Sequence, residues 1–225
     1  MYDELKEIAL SSGAVVFGAG FIDDLKGHFD ALSLEQTEGL SHGISIGVRV
    51  SDSVLKGIIT GPTRHYLHHY KMLNLLLDQC ALRVALAIQQ NGYNALPIPA
   101  SQIVDWENQT AHLSHKMIAL RAGAGWIGRN NLLVHPEFGS RIRLATVLTD
   151  MPVNPSLTKG GMGGLTEEEN CGSCKKCIEI CPVSAIGQTH EQWNRKACLE
   201  KLKDFAKTRN VGQYICGLCV KVCRP

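Results

Sequence analysis

The sequence predicts an α+β fold followed by a small cysteine-rich module, and three observations predict it. From Gly61 to Gly92, apolar residues recur at helical spacing over a stretch long enough to form a core helix. Ala14-Val-Val-Phe17 is a short apolar run, and Gly43-Ile-Ser-Ile-Gly-Val-Arg-Val50 alternates with β-branched residues, as strands do. Eight of the nine cysteines fall between positions 171 and 223.

The elements follow in order. Residues 3–12 predict a short helix with Leu5, Ile8 and Ala9 on one face, ended by Gly13. The two strand candidates come next. Pro62 suits the first position of the long helix, whose apolar face carries Leu67, Tyr70, Leu73, Leu77, Leu82, Ala85 and Ile88. Ala95–Ile98 is extended, and Pro97 and Pro99 confine it to a sheet edge or a loop. Residues 111–122 predict a second helix that runs into the glycine loop 123–130. Leu132–His135, a Pro136–Gly139 turn and Arg141–Leu148 predict an antiparallel hairpin. From Pro152 to Asn170 the composition shifts to Pro, Gly, Ser and Glu. A linker here predicts two domains, 1–155 and 156–225.

Composition narrows the class. A chain of 225 residues, 44% hydrophobic, can bury one sizeable core, or a core plus an appended module. A net charge of +2, with 20% charged residues, gives no bulk signal for nucleic acid or membrane. The first residues, Met-Tyr-Asp-Glu-Leu-Lys-Glu, lack the apolar core of a signal peptide. No run of 18 apolar residues is seen, so neither a spanning helix nor a membrane partner is expected. These features predict a cytoplasmic protein whose thiols stay reduced.

The cysteines carry the chemistry. Cys171-Gly-Ser-Cys174-Lys-Lys-Cys177-Ile-Glu-Ile-Cys181-Pro182 is a C-x2-C-x2-C-x3-C-P run, the spacing of bacterial ferredoxins. Three thiolates on a tight turn can wrap one cubane, while the fourth opens a helix toward the other. Cys216-Gly-Leu-Cys219-Val-Lys-Val-Cys223 lacks a middle cysteine, and Cys198 supplies the eighth ligand. Crossing the fourth cysteines gives Cys171, Cys174, Cys177 and Cys223 to one [4Fe-4S] cluster. Cys181, Cys198, Cys216 and Cys219 then hold the other. Cys80, mid-helix among apolar residues, reads as an inert core thiol. Two four-cysteine zinc sites are the alternative, although Cys177 and the C-x3-C-P ending suit iron–sulfur better. Disulfides would need an oxidising compartment.

Gly123-Ala-Gly125-Trp126-Ile-Gly128 matches G-x-G-x-x-G, but a helix precedes it and a hairpin follows, which is not dinucleotide-binding context. Glycines here allow close backbone approach to a bulky cofactor, and Arg129 adds a charge. With Trp126 and Asn130 they form the candidate cofactor-binding set.

Arg121-Ala-Gly-Ala-Gly-Trp-Ile-Gly-Arg-Asn-Asn-Leu-Leu-Val134, then Pro136-Glu-Phe-Gly-Ser140, Leu148-Thr-Asp150 and Cys171-Gly-Ser-Cys174, resembles the epoxyqueuosine reductase family. The same order is similar to the C-terminal part of corrinoid reductive dehalogenases. The resemblance implies a nitroreductase-like domain that binds cobalamin, fused to a ferredoxin-like double [4Fe-4S] domain that feeds electrons to the cobalt. It further implies a low-potential donor such as ferredoxin or flavodoxin, and a small-molecule or nucleoside substrate. A homodimer is also expected. The sequence departs from the family where an Asp-x-x-Pro-x-x-Glu-like segment is expected, since Gln109-Thr-Ala-His112-Leu-Ser-His115 stands there. The family's helical repeat, implicated in tRNA contact, has no counterpart before Pro225, so tRNA is not the expected substrate. His112 and His115 could deliver a proton in place of the acid, as could Tyr66 and Tyr70; each is otherwise ordinary packing. Two alternatives keep the clusters: an FMN-dependent reductase, and an electron carrier or reductive activator of a separate corrinoid protein.

Overall fold

A computed structural model describes residues 1–107, 109–153 and 171–224. In chain order the helices are α1 (Tyr2–Ser11), α2 (Leu34–Thr37), α3 (Asp52–Lys56), α4 (Arg64–Gln90), α5 (His115–Arg121), α6 (Lys176–Glu179), α7 (Arg195–Thr208) and α8 (Leu218–Val222). The strands are β1 (Val16–Phe21), β2 (His42–Arg49), β3 (Ala95–Ile98), β4 (Trp126–Ile127), β5 (Leu133–Val134) and β6 (Ile142–Thr149). The chain divides into two compact units. The first comprises Met1–Val48, Asn74–Ala124 and Arg143–Gly163, and the second Arg49–Leu73, Gly125–Ile142 and Gly164–Pro225. The expected boundary between residues 155 and 156 lies outside the described residues. The second unit nonetheless draws on chain well before it, because segments 49–73 and 125–142 join the cysteine module.

The first unit is built on a four-stranded sheet of order β1-β2-β6-β3. β1 runs antiparallel to β2, with Val16 opposite Gly47 and Phe21 opposite His42. β3 runs antiparallel to β6, with Ala95 opposite Thr149 and Ile98 opposite Thr146. β3 lies at a sheet edge, the place a strand containing Pro97 requires, since proline cannot donate to a further ladder. α5 lies on β1 at very close range. A methyl group on Gly20 would sit 2.4 Å from the Arg121 carbonyl oxygen, and one on Gly18 would sit 2.6 Å from that of Ala122. Only glycine lets helix backbone rest on strand backbone in this way. Ile22, Leu25, Leu40, Ile98, Leu113, Ile118 and Leu148 form the core on this side. Each such side chain contributes about 1.5–3 kcal/mol by leaving water.

α4 is long and apolar enough in average composition to cross a membrane, although it contains no unbroken run of 18 apolar residues. It is a core helix here: Leu77, Val84 and Ile88 are fully buried, and Cys80 is sealed among them. Burial pushes the Cys80 thiol pKa up, as expected of an inert core thiol.

The expected hairpin of Leu132–His135 with Arg141–Leu148 does not form. The turn is present, closed by a bridge between His135 and Gly139, but the flanking strands part. β5 pairs with β4, Trp126 opposite Val134 and Ile127 opposite Leu133. β6 enters the interior of the large sheet instead. Its residues from Ala145 to Thr149 are all buried, which demands partners on both sides.

In the second unit, α7 is capped by Asn194, whose side-chain oxygen accepts from the Ala197 N–H at 3.0 Å. Its buried Phe205 lies under Lys201 and Arg209, the latter also donating to the Thr60 hydroxyl at 2.6 Å.

Candidate metal centre

Local backbone chemistry presents the cysteines of the second unit. The Cys174 N–H donates to the Cys171 carbonyl at 3.1 Å, so the first pair sits on a turn. Cys177 lies on the short helix α6, and Cys181 follows its end, with Pro182 stopping continuation. Cys198 lies on α7 and Cys219 on α8, while Cys216 and Cys223 flank α8.

The thiols fall into two groups. Burial, reinforced by Cys223, Cys171 and Cys174, pushes the Cys177 thiol up to about 11. Burial pushes Cys216 up to about 11 as well, with Cys198 and Cys181 adding to the rise. Cys219 is raised further by burial, with Cys216 and Cys198 next in effect and Cys177 and Cys181 weaker. Cys198 is raised by burial and by Cys181. Cys171, Cys174, Cys177 and Cys223 therefore face one another, as do Cys181, Cys198, Cys216 and Cys219. Thiols raised in this way stay protonated until a metal displaces the proton.

A cavity of about 170 Å³ opens among the first group, lined by Cys171, Cys174, Cys177 and Cys223 together with Trp126, Gly128, Arg129 and Asn130. Hydrogen bonds converge on its sulfurs. The Trp126 indole N–H donates to Cys171 Sγ at 3.5 Å, and the Ser140 hydroxyl donates to Cys223 Sγ at 3.3 Å. In the second group, the Ala185 N–H donates to Cys181 Sγ at 3.2 Å. The chemistry fits ligation by soft sulfur.

Arg129 is the structural key to the first group. It is only 5% exposed. Its Nε donates to the Gln188 carbonyl at 2.7 Å, while Nη1 and Nη2 donate to those of Cys174 and Gly172, each at 2.9 Å. Three main-chain oxygens thus hold the cysteine turn to this side chain. Asn130, also buried, donates to the Ser140 hydroxyl at 3.0 Å and accepts from the Leu132 N–H. Gly139, at φ +61°, lies against Cys223. A methyl group there would sit 2.2 Å from the Cys223 carbonyl oxygen and 3.3 Å from its sulfur. Arg141 donates to that same carbonyl at 3.2 Å and pairs with Asp52.

The structure therefore places Trp126, Gly128, Arg129 and Asn130 around the cysteine cage, with their polar groups engaged there. Gly123, at φ +72°, ends α5, and its N–H donates to the Leu120 carbonyl. A methyl group on Gly125 would sit 2.0 Å from the Val134 carbonyl oxygen, so this glycine serves the β4–β5 contact. Neither lines the cavity. The Trp126 indole N–H, three of the five Arg129 N–H groups and one N–H of Asn130 are engaged at the cage. Sequence reasoning missed Ser140, Gly139 and Arg141 as supports of Cys223. The Pro-Glu-Phe-Gly-Ser motif was visible, but its target was not.

In the first unit, His115 is held at both nitrogens. Nε2–H donates to the Pro99 carbonyl at 2.9 Å, so Nδ1 accepts from the Thr146 hydroxyl at 2.8 Å. Burial pushes its pKa down to about 4, with the charges of Arg143 and His112 acting in the same direction and the Pro99 bond opposing. His115 is a neutral cross-link at pH 7 with no proton to give. Nδ1 of His112 is buried without a hydrogen-bond partner. Tyr66, in the second unit, is buried, and a methyl group on Gly217 of the same unit would meet its ring.

Residues 170–224 match the family described as 4Fe-4S double cluster binding domain. The epoxyqueuosine reductase of Bacillus anthracis is 36% identical over 121 residues, which are 51% of this chain and 30% of that one. A catabolic reductive dehalogenase solved with 3-bromo-4-hydroxybenzoic acid superposes with a TM-score of 0.71 at 19% identity, covering 97% of this chain and 31% of the other. An epoxyqueuosine reductase solved with an epoxyqueuosine-modified tRNA stem loop gives 0.60 at 21% identity, covering 98% and 64%. The structural likenesses establish a shared mixed helix-and-strand fold. This chain spans less than two thirds of the length of each of these proteins. The chain is thus similar to epoxyqueuosine reductases over about half of its length, and its residues 170–224 match the 4Fe-4S double cluster binding family.

Proposed function

We propose that the second unit holds two [4Fe-4S] clusters and that the chain is an iron–sulfur reductase. Cys171, Cys174, Cys177 and Cys223 would hold the first, and Cys181, Cys198, Cys216 and Cys219 the second. The observation that carries this reading is the interlaced grouping of the eight thiols, each group taking its fourth member from the other stretch of chain.

The clusters would supply one-electron reducing equivalents. The chain's own residues do the rest. Trp126, Ser140 and Ala185 donate to the sulfurs, Arg129 fixes the cysteine turn, and Gly139 leaves room for Cys223. We read the first unit as a nitroreductase-like cofactor domain. A cobalamin is its expected occupant, by kinship with the epoxyqueuosine reductases, and FMN is the alternative. The reaction would be a reduction of the epoxyqueuosine-reductase type on a small-molecule or nucleoside substrate, carried out in the cytoplasm. His115 is unsuited to donate the proton, because its ring is neutral and doubly bonded.

The test is anaerobic purification with iron, sulfide and zinc analysis, followed by extraction of organic cofactors. About eight irons per chain are expected for two cubanes. Stoichiometric zinc, or about four irons or fewer, overturns the cluster reading. A bound corrinoid or a bound flavin decides between the two cofactors. Turnover of free epoxyqueuosine against a modified tRNA stem loop separates a nucleoside substrate from tRNA.

A further inference from the structure

Residues 172–176, Gly-Ser-Cys-Lys-Lys, are exposed without interruption. Cys174 is the exposed cysteine of the module, and the other seven are at most partly exposed. One corner of the first cage therefore reaches the surface. Lys175 and Lys176 flank it, both exposed, and Lys176 also lines the cavity. Among the described residues, neither ammonium group meets a carboxylate. The second unit is basic as a whole, with sixteen Lys and Arg against nine Asp and Glu over residues 49–73, 125–142 and 164–225. The chain overall is only +2, so the positive charge is concentrated here.

We propose that the Cys174–Lys176 loop is the docking site for an acidic one-electron carrier protein. The proposal rests on the cluster reading above. Unpaired cations attract and orient an acidic partner, raising its association rate more than its final affinity. The loop also brings that partner to the one place where a ligating sulfur is at the surface. The carrier loses one electron and the iron of the first cage gains it, with no bond or proton change. RNA is the competing occupant of a basic surface. It is disfavoured here because residues 172–176 include no aromatic side chain on which a base could stack.

The experiment uses the iron-loaded full chain and an acidic two-iron ferredoxin. Binding is measured by calorimetry at low and at physiological salt, and reduction by stopped-flow absorbance. Lys175→Glu is expected to weaken binding and slow reduction by the ferredoxin about tenfold at low salt, with the difference shrinking as salt rises. Lys175→Gln should lose less. Reduction by a small photoreduced deazaflavin should be the same in all variants. Lys203→Glu, an equal charge change on α7, should leave ferredoxin binding near wild type. Equal losses for Lys175→Glu and Lys203→Glu, no loss for Lys175→Glu, or displacement of the ferredoxin by a tRNA stem loop from this loop would each overturn the docking proposal. Wild-type protein devoid of iron would instead sink the cluster reading.

Discussion

Arg129 offers the sharpest test of how the cysteine cage is held. Arg129→Met keeps most of the stem and removes the guanidinium. Three hydrogen bonds at 2.7, 2.9 and 2.9 Å are lost. Bonds from a charged donor contribute about 1.5–3 kcal/mol each. The accepting carbonyls belong to Gly172, Cys174 and Gln188, all exposed residues, so water re-solvates them in the variant. The low end applies, and the loss of the buried cation's own desolvation cost offsets part of the sum. A net destabilisation of about 3 kcal/mol is expected, roughly a hundredfold in the folding equilibrium. For a chain of this size that lowers Tm by about 6–12 °C. Thermal unfolding of the anaerobic, iron-loaded protein reads the first quantity, and the rate of iron loss to a chelator reads the effect on the cage. Arg129→Lys keeps the charge but reaches fewer carbonyls, and it should fall between wild type and Arg129→Met. A Tm within about 2 °C of wild type for Arg129→Met, with unchanged iron retention, would refute the assignment of Arg129 as the clamp on this turn.

Further predictions follow from single contacts. His115 titrates at about 4 when folded against about 6.5 when unfolded, so the unfolded chain binds the proton more readily between those values. Stability should be whole above pH 6.5 and fall by up to about 3 kcal/mol as pH drops toward 4; urea midpoints across that range should show the slope, and His115→Gln should flatten it. Gly139→Ala drives a methyl group into Cys223 at a φ of +61°, and iron content should fall to about half of wild type. Cys223→Ser and Cys198→Ser should each also leave about four irons, and electron paramagnetic resonance should find different surviving centres in the two. Leu77→Ala removes a fully buried side chain of α4 and should cost about 2–5 kcal/mol by chemical denaturation, with iron content unaffected.

Local rules recovered much of the architecture. Helical periodicity and Pro62 placed α4 to within a few residues of Arg64–Gln90, and Pro97 marked β3 as an edge strand. The eight-cysteine spacing predicts two interlaced groups of thiols, because the ferredoxin run encodes the crossing in its spacing. The hairpin reading failed because adjacency along the chain favours a local partner, whereas the burial of β6 demands neighbours on both of its sides. Arg129 read as a contact for a bulky cofactor because a sequence shows an arginine's charge and not the carbonyls it will find. The three carbonyls lie more than forty positions downstream, and no periodicity connects them. The same limit hid Gly139 and Ser140.

The discontinuity of the second unit has a practical consequence. Seen in the alignment of cysteines alone, residues 156–225 look like a detachable cassette that could be cloned out and spliced onto another enzyme. The fold argues otherwise, since that fragment would leave behind Arg129, Ser140 and Gly139, together with Thr60, the partner of Arg209. Transplantation would have to carry segments 49–73 and 125–142 as well, so the module is a graft that only takes together with its rootstock.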